Sequence, residues 1–577
     1  MFGRPKRPPA SPLERLIGQH PLLHSSFATL ENTRASINSQ LESYEAWQLL
    51  FLGMLLTYFL TKLFKFLRQA RHTIRDKGVK QLIAAFILDL PGFRGFVARQ
   101  QAATVAKIRA GLQNTKGAPS PSDALLTLPL SGISAAQIKS RLTRKSQADL
   151  KFVHEGESKV SGAVYLAGSA HQLLLNEVYK QFSITNPMHS DIFPSVRKME
   201  GEVVAMTASL LGGGPAGDPG VCGAMTSGGT ESILTAVKAS RDYMAATKGI
   251  REHPEMIVAE SAHAAFVKAA EYFKIRLIRL PVSTVDYRLS GKAVARAITR
   301  NTVLVVASSP GFPHGVMDHV EDVAEVCRRR GVLLHVDCCL GGFVLPFARD
   351  LGYPIPPFDF SVPGVTSISV DTHKFGQAHK GTSVVLYRSS DIRRYQYTSI
   401  TDWTGGLYIS PGFAGSRSGA LIATAWAALV HMGREGYMEA TRSMMTAARS
   451  FAQGISKIKG LEVIGDPEMS VVAFKAQAAY PELNIYKVND LLSARGWHLN
   501  ALQRPPALHI CFTAAHSGHT VEELLRDVEE CVQGVLAHPE EGGEGMAPLY
   551  GMAATVPDRR IVGNFLIAYQ DILLEGV

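Results

Sequence analysis

Ser369-Val370-Asp371-Thr372-His373-Lys374 closes an apolar run over residues 366–370 with a lysine. Read as a strand, this run delivers Lys374 at its C-terminal end, where open α/β sheets bind ligands. The same rhythm extends outward from it. Residues 303–308 (VLVVAS), 333–336 (LLHV), 366–370 and 383–387 read as buried strands, because short continuous apolar runs suit strands covered on both faces. Helical stretches over 232–246 and 319–330 accompany them. Strands alternating with helices predict an α/β fold, a largely parallel sheet with helices on both faces. After residue 436 the pattern changes to a helix over 439–457, short strands and another helix over 521–536. That change predicts a smaller C-terminal α+β domain. No internal repeat is present.

With 577 residues the chain is too long for one ordinary core. Its composition, 46% hydrophobic and 19% charged, is globular and excludes a disordered chain. The formal net charge is +10, but no nucleic-acid-binding motif accompanies the basic runs, so no nucleic-acid partner is expected. Six cysteines occur without a CxxC pair or a Cys/His zinc spacing. They read as reduced thiols in a cytosolic compartment, with no metal site. The adjacent Cys338-Cys339 reads as two buried small side chains.

The chain divides into an arm over 1–45, an apolar run over 46–67, a juxtamembrane and helical segment over 68–190, a large domain over 191–435 and a small one over 436–577. The apolar run is about long enough for a transmembrane helix if Lys62 and Lys65 reach the interface. It lies too far along the chain for a signal peptide, and no small-residue cleavage site follows it. Lys62, Lys65, Arg68, Arg71, Arg75, Lys77 and Lys80 crowd its C-terminal flank, while Glu42 and Glu45 precede it. Positive charge stays cytoplasmic, which predicts a single-pass anchor with the large C-terminal part in the cytosol.

Four motifs carry chemistry. Lys374 is an amine at a strand end with His373 beside it; alone, a His-Lys pair is usually surface. Leu334-His335-Val336-Asp337 places a carboxylate at another strand end, and Gly341-Gly342 follows. Thr226-Ser227-Gly228-Gly229-Thr230-Glu231-Ser232 is a glycine-rich turn, with Gly229 and Thr230 at its centre, entering a helix. Unpaired N–H groups and the helix dipole make such a turn an anion site. Ser261-Ala262-His263 follows an apolar stretch and offers an aromatic ring. Each motif has a bland alternative as a cap, linker or core residue. In this order they match the needs of pyridoxal 5′-phosphate (PLP): a phosphate cradle, a ring to stack on, a carboxylate that keeps the pyridine nitrogen protonated, and a lysine that forms an imine with the aldehyde.

The segment Val370-Asp371-Thr372-His373-Lys374-Phe375-Gly376, with Lys380-Gly381, resembles the sphingosine-1-phosphate lyases. So do Asn186-Pro187-Met188-His189, residues 192–197, Met225 through Ser232, Ser309 through Gly315, and His335 through Gly342. The likeness runs from about residue 120 to 570. It implies a fold type I PLP-dependent transferase-like architecture with a large, mostly parallel seven-stranded sheet domain, a homodimer, and an endoplasmic reticulum membrane anchor of sphingolipid metabolism. It implies retro-aldol cleavage of a phosphorylated sphingoid base to a fatty aldehyde and phosphoethanolamine. Catalytic roles carry over to Lys374, His373, Lys380 and Tyr550, and cofactor contacts to Gly229, Thr230, His263, His335, Asp337 and Ser416. Substrate-phosphate contacts carry over to Tyr165, Asn186, His189 and Lys380. Tyr165 and the 415–419 loop are implied to reach across the two-fold axis into the partner's site. One departure is Ser418, where members of the family usually have proline.

Two other readings remain. A PLP-dependent amino-acid decarboxylase of the glutamate or aromatic type shares the Asp–Lys core but needs a carboxylate pocket and no anchor. A membrane scaffold built on a dead PLP fold would not need Lys374, Asp337 and His263 intact.

Overall fold

The computed structural model describes residues 125–150, 158–165, 168–516, 518–540 and 559–574, with residue 51, residues 53–61 and a few single positions among the first 109. They fall into two units, Gly117–Thr555 on one hand and Met1–Lys116 with Val556–Val577 on the other.

The larger unit opens with helices α1 (Ala135–Leu150), α2 (Ser169–Phe182) and α3 (Pro194–Leu210). Then come β1 (Cys222–Thr226), α4 (Gly229–Thr247), β2 (Glu255–Ala259), α5 (Ala264–Tyr272), β3 (Arg276–Leu280) and α6 (Gly291–Ala297). β4 (Thr302–Ser308), α7 (Val320–Arg330), β5 (Leu333–Asp337), α8 (Leu345–Asp350), β6 (Ser367–Val370) and β7 (Ser383–Tyr387) complete the sheet domain. Its seven strands run in the order β1-β7-β6-β5-β4-β2-β3. β7 is antiparallel to both its neighbours, and the other pairings are parallel.

Local chemistry explains these elements. Every residue of β4 and β5 is buried, as expected of strands with helices on both faces. Helix α7 buries Val320, Val323, Ala324 and Cys327, the spacing of one helical face. Glu321 and Asp322 lie in its first turn and Arg328, Arg329 and Arg330 in its last, matching the helix dipole. Gly331, with φ 63°, ends it in a left-handed cap.

Past a hairpin of β8 (Thr398–Ile400) and β9 (Tyr408–Ser410), helix α9 (Gly419–Ile455) kinks at Gly433. Before the kink, Ile422, Ala425 and Ala428 pack into the core of the large sheet. After it, Phe451 and Ile455 pack into a second core with Phe474, Trp497 and Phe512. That second core belongs to an antiparallel sheet in the order β10-β11-β13-β12. It comprises β10 (Leu461–Val463), β11 (Val471–Ala476), β12 (Asn500–Leu502) and β13 (Ala507–Cys511), with helices α10 (Ile485–Ala494) and α11 (Gly518–Ala537).

The small sheet also recruits an early stretch of chain. Ser158 N–H donates to Ala515 O at 3.0 Å, Ser161 N–H to His498 O at 2.9 Å and Gly162 N–H to Cys511 O at 2.9 Å. This pinning fixes where Tyr165 emerges. The last helix, α12 (Arg559–Leu574), groups with the N-terminal residues and not with the small domain.

Within the expected span over 46–67, residue 51 and residues 53–61 are helical, and the rest lies outside the described residues. Thr57 and Thr61 donate their hydroxyls to the carbonyls of Gly53 and Thr57, each at 2.7 Å. Among the described residues no helix is long and apolar enough to cross a membrane.

Candidate active site

The loop after β1, the start of α5, and the ends of β5 and β6 converge on a cavity of about 360 Å³. Its walls include Ser227, Gly228, Gly229, Thr230, His263, Cys339, Asp371, His373 and Lys374. Ligands in open α/β sheets bind beyond the carboxyl ends of the strands, and this cavity lies there.

Lys374 Nζ lies 2.8 Å from Asp371 Oδ2, and the Asp371 side chain is only 2% exposed. Burial alone would lower the pKa of Lys374, but Asp371 and then Cys339 outweigh it and raise it, keeping the ammonium form. The other Asp371 oxygen, Oδ1, is buried without a hydrogen-bond partner. His373 Nδ1 accepts the Thr382 N–H at 3.2 Å, so the proton of the neutral ring sits on Nε2, 3.8 Å from Asp371 Oδ2. Burial lowers the His373 pKa, against the pull of Asp371.

The glycine-rich loop forms a cradle that no larger residue could line. A Cβ on Gly229 would stand 2.8 Å from Cys339 Sγ and 2.8 and 2.9 Å from the two Asp371 oxygens. Hydroxyls tie the cradle to the lysine strand: Thr226 Oγ1 to Ser232 Oγ at 2.6 Å, Ser232 Oγ to Ser383 Oγ at 2.8 Å, and Ser383 Oγ donating to Val370 O at 2.9 Å. Glu231, which the sequence reading passed over, accepts the Ser227 N–H at 2.8 Å and its hydroxyl at 2.5 Å. It is the fifth residue of the run beginning at Ser227, close enough to fold back on its own loop. Gly229→Ala should force Asp371 or the loop to move. The expected outcome is a loss of about 1–3 kcal/mol, seen as a roughly 5- to 150-fold rise in cofactor Kd on absorbance titration.

The residues present fit PLP. The cradle would hold the phosphate, His263 the ring face, and Lys374 the aldehyde. His263 is fixed as the cap of α5, its Nδ1 accepting Ala265 N–H at 3.1 Å. Asp337 does not line the cavity but ends β5 behind it; its Oδ1 accepts the Cys339 N–H at 3.0 Å and the Ser369 hydroxyl at 3.3 Å. That geometry fixes one carboxylate oxygen of Asp337.

The structure places the remaining expected residues unevenly. Lys380 Nζ sits 4.5 Å from the Tyr165 ring centroid and donates to His373 O at 3.4 Å. The residue as a whole is exposed, yet desolvation of its ammonium and then the like charge of Lys374 push it down to about 8. Tyr165 is buried and packs edge-on against Phe375, at 5.0 Å between centroids. These are contacts within its own chain, and Tyr165 is not among the residues that line the cavity. Asn186 Nδ2 donates to Ser416 Oγ at 3.1 Å. Ser416 lines a second cavity of about 210 Å³ that shares Ser227 and Glu231 with the first. His189 is exposed and lines neither cavity. Tyr550 lies outside the described residues. Ser418, the departure from proline, accepts the Leu421 N–H at 3.3 Å and caps α9.

His335, expected as a cofactor contact, sits behind the cavity wall, as Asp337 does. Its ring is fully buried between Ser367 Oγ at 2.9 Å and Ser369 Oγ at 3.1 Å. Burial pushes it down to about 4, so it is neutral. It does not line the cavity.

Fold and site together define a PLP-dependent enzyme, and residues 146–477 match the family described as pyridoxal-dependent decarboxylase conserved domain. A sphingosine-1-phosphate lyase of Arabidopsis thaliana is 45% identical over 94% of this chain and 97% of its own length. Sphingosine-1-phosphate lyase 1 of Mus musculus is 40% identical over 98% and 96%. The solved structure of a Burkholderia pseudomallei sphingosine-1-phosphate lyase superposes with a TM-score of 0.68 at 40% identity, covering 72% of this chain and 95% of that one. The chain belongs to the sphingosine-1-phosphate lyase family.

Proposed function

We propose that the chain cleaves phosphorylated sphingoid bases between C2 and C3, releasing a fatty aldehyde and phosphoethanolamine. The observation that carries this reading is a second cation beside the first: Lys380 stands over Tyr165 and bonds to the carbonyl of His373, next to Lys374. A phosphomonoester substrate needs such a cation in addition to the groups that hold the cofactor.

When bound, PLP supplies an electron-accepting ring joined to the substrate nitrogen. The protein's residues do the rest. Asp337 keeps the ring nitrogen's proton, His263 holds the ring plane, and the loop over Ser227–Thr230 anchors the phosphate. Lys380, lowered to about 8, keeps its positive charge at neutral pH for the substrate phosphate. An amino-acid decarboxylase would use the same core with a carboxylate in place of that phosphate. Incubation with glutamate or aromatic amino acids separates the two readings, because release of carbon dioxide at rates matching the long-chain base would favour the decarboxylase.

The same proposal includes a homodimer and a single-pass anchor in the endoplasmic reticulum membrane, with the catalytic body in the cytosol. Phe51, Met54, Leu55, Leu56, Tyr58, Phe59 and Leu60 are all exposed on one helical stretch. A helix apolar on every side suits lipid, and the basic flank after residue 62 sets the orientation. The tail of a long-chain base partitions into lipid at roughly 0.8 kcal/mol per CH₂, so an anchored enzyme meets it there. Removal of residues 1–70 should give a soluble protein with near-normal kcat on detergent-dispersed substrate. Persistent membrane sedimentation of the truncated chain, or loss of its turnover, would count against the anchor.

A further inference from the structure

Two carboxylates stand near Lys374, and only one of them has a role so far. Asp337 suits the ring nitrogen. Asp371 is 2% exposed, holds Lys374 Nζ at 2.8 Å and has its second oxygen buried without a donor. Both of its oxygens come within 2.9 Å of where a Gly229 Cβ would be. The cradle and the lysine therefore converge on this side chain. A buried carboxylate with an unsatisfied oxygen is costly to keep, and shape alone does not explain it, because asparagine has the same outline.

We propose that Asp371 is a positioning residue that holds Lys374 in its protonated form and so governs when the amine can capture the cofactor. Capture replaces the aldehyde C=O by a C=N double bond to Nζ, and the aldehyde oxygen leaves as water with the two hydrogens of the free amine. The ammonium must first give one proton to solvent, since its lone pair makes the new bond. No oxidant or reductant is involved. Asp371 opposes that proton loss by direct ion pairing.

The other groups facing Lys374 are Cys339 and Asp337 from the end of β5, Cys511 from β13, and His373 and Lys380 from its own loop. Glu231 and His263 line the same cavity. Lys380 and burial favour the free amine, Asp337 opposes it weakly, and Asp371 is the anion in contact. Removal of the Asp371 charge thus leaves burial dominant, and the amine loses its proton more readily.

The inference rests on Lys374 being the lysine that bears the cofactor. The test is the rate at which cofactor-stripped protein takes up PLP, followed by absorbance across pH and then trapped with borohydride for peptide mass. Asp371→Asn should shift the pH dependence of capture down by ~1–3 units. At about pH 7 capture should then be at least tenfold faster. An unchanged profile, or slower capture with the same profile, would overturn the proposal. Should Asp371→Asn fail to fold, the unaltered protein decides: its capture rate should climb roughly tenfold per pH unit between about pH 6 and pH 9. Levelling off near neutrality would show that Asp371 does not hold the proton. Trapped cofactor on a lysine other than Lys374 would refute the cofactor assignment itself, and the proposal with it.

Discussion

Replacement of Lys374 by alanine is expected to lower kcat/KM by roughly 10⁴-fold or more and to remove the visible absorbance of bound cofactor. Lys374 is the amine in the cavity wall, fixed at the end of β6 and 2.8 Å from Asp371. Lys380 is no substitute, because its ammonium is committed to the Tyr165 face and the His373 carbonyl. The variant also strands a buried Asp371. A buried carboxylate left without its cation destabilises the fold, so the variant should melt at a lower temperature than the unaltered chain. A second change, Asp371→Ala, should recover the stability in thermal melts without recovering turnover. Residual activity within tenfold of the unaltered enzyme would mean that the amine is elsewhere.

Lys380→Met should be the next most damaging change, since it keeps the length of the side chain and removes the charge. Loss of one partner of a partly desolvated charge pair costs about 2–4 kcal/mol, or roughly 30- to 1000-fold in kcat/KM. Lys380 is protonated below its value of about 8, so the phosphate contact is present at neutral pH and fades as pH rises past that value. The unaltered enzyme should therefore show an alkaline fall in kcat/KM with a midpoint near about 8, and the Lys380→Met profile should lack it. Cofactor content should be unchanged, measured by absorbance after denaturation. A variant that loses cofactor together with activity would place Lys380 in the cofactor site.

Much of the fold was legible because β4 to β7 are continuous apolar runs with helices between them. β3 escaped notice because two of its five residues are arginines, Arg276 and Arg279, tolerated at the sheet edge. β1 escaped because Gly223 interrupts it; a Cβ there would stand 2.3 Å from Val385 O, so close strand approach demands glycine. The order of glycine loop, His263, Asp337 and Lys374 was readable because each follows a strand or ends one. His335 stands off the cavity for a reason of length. It sits two residues, roughly 7 Å, back from the strand end, under the ring of Phe266 at 5.9 Å, and the cavity opens only at the end itself. Asp371 and Glu231 were in plain view within the motifs. Lys374 and Ser227, their respective partners, are local, three and four residues away; what no spacing reveals is the close approach of Gly229 to Asp371, where the start of α4 meets the end of β6. Tyr165 is held against Phe375 and Lys380 of its own chain because residues 158–162 are stitched to the small sheet, and that stitch spans more than 300 positions of sequence.

The reaction itself is tested most directly by following the fate of one substrate. Purified chain loaded with PLP is incubated with a phosphorylated long-chain base, and both halves of the molecule are quantified by mass spectrometry. Cleavage between C2 and C3 predicts fatty aldehyde and phosphoethanolamine in equal amounts, with Lys374→Ala producing neither. Intact substrate, or products that do not appear in equal amounts, would contradict the assignment.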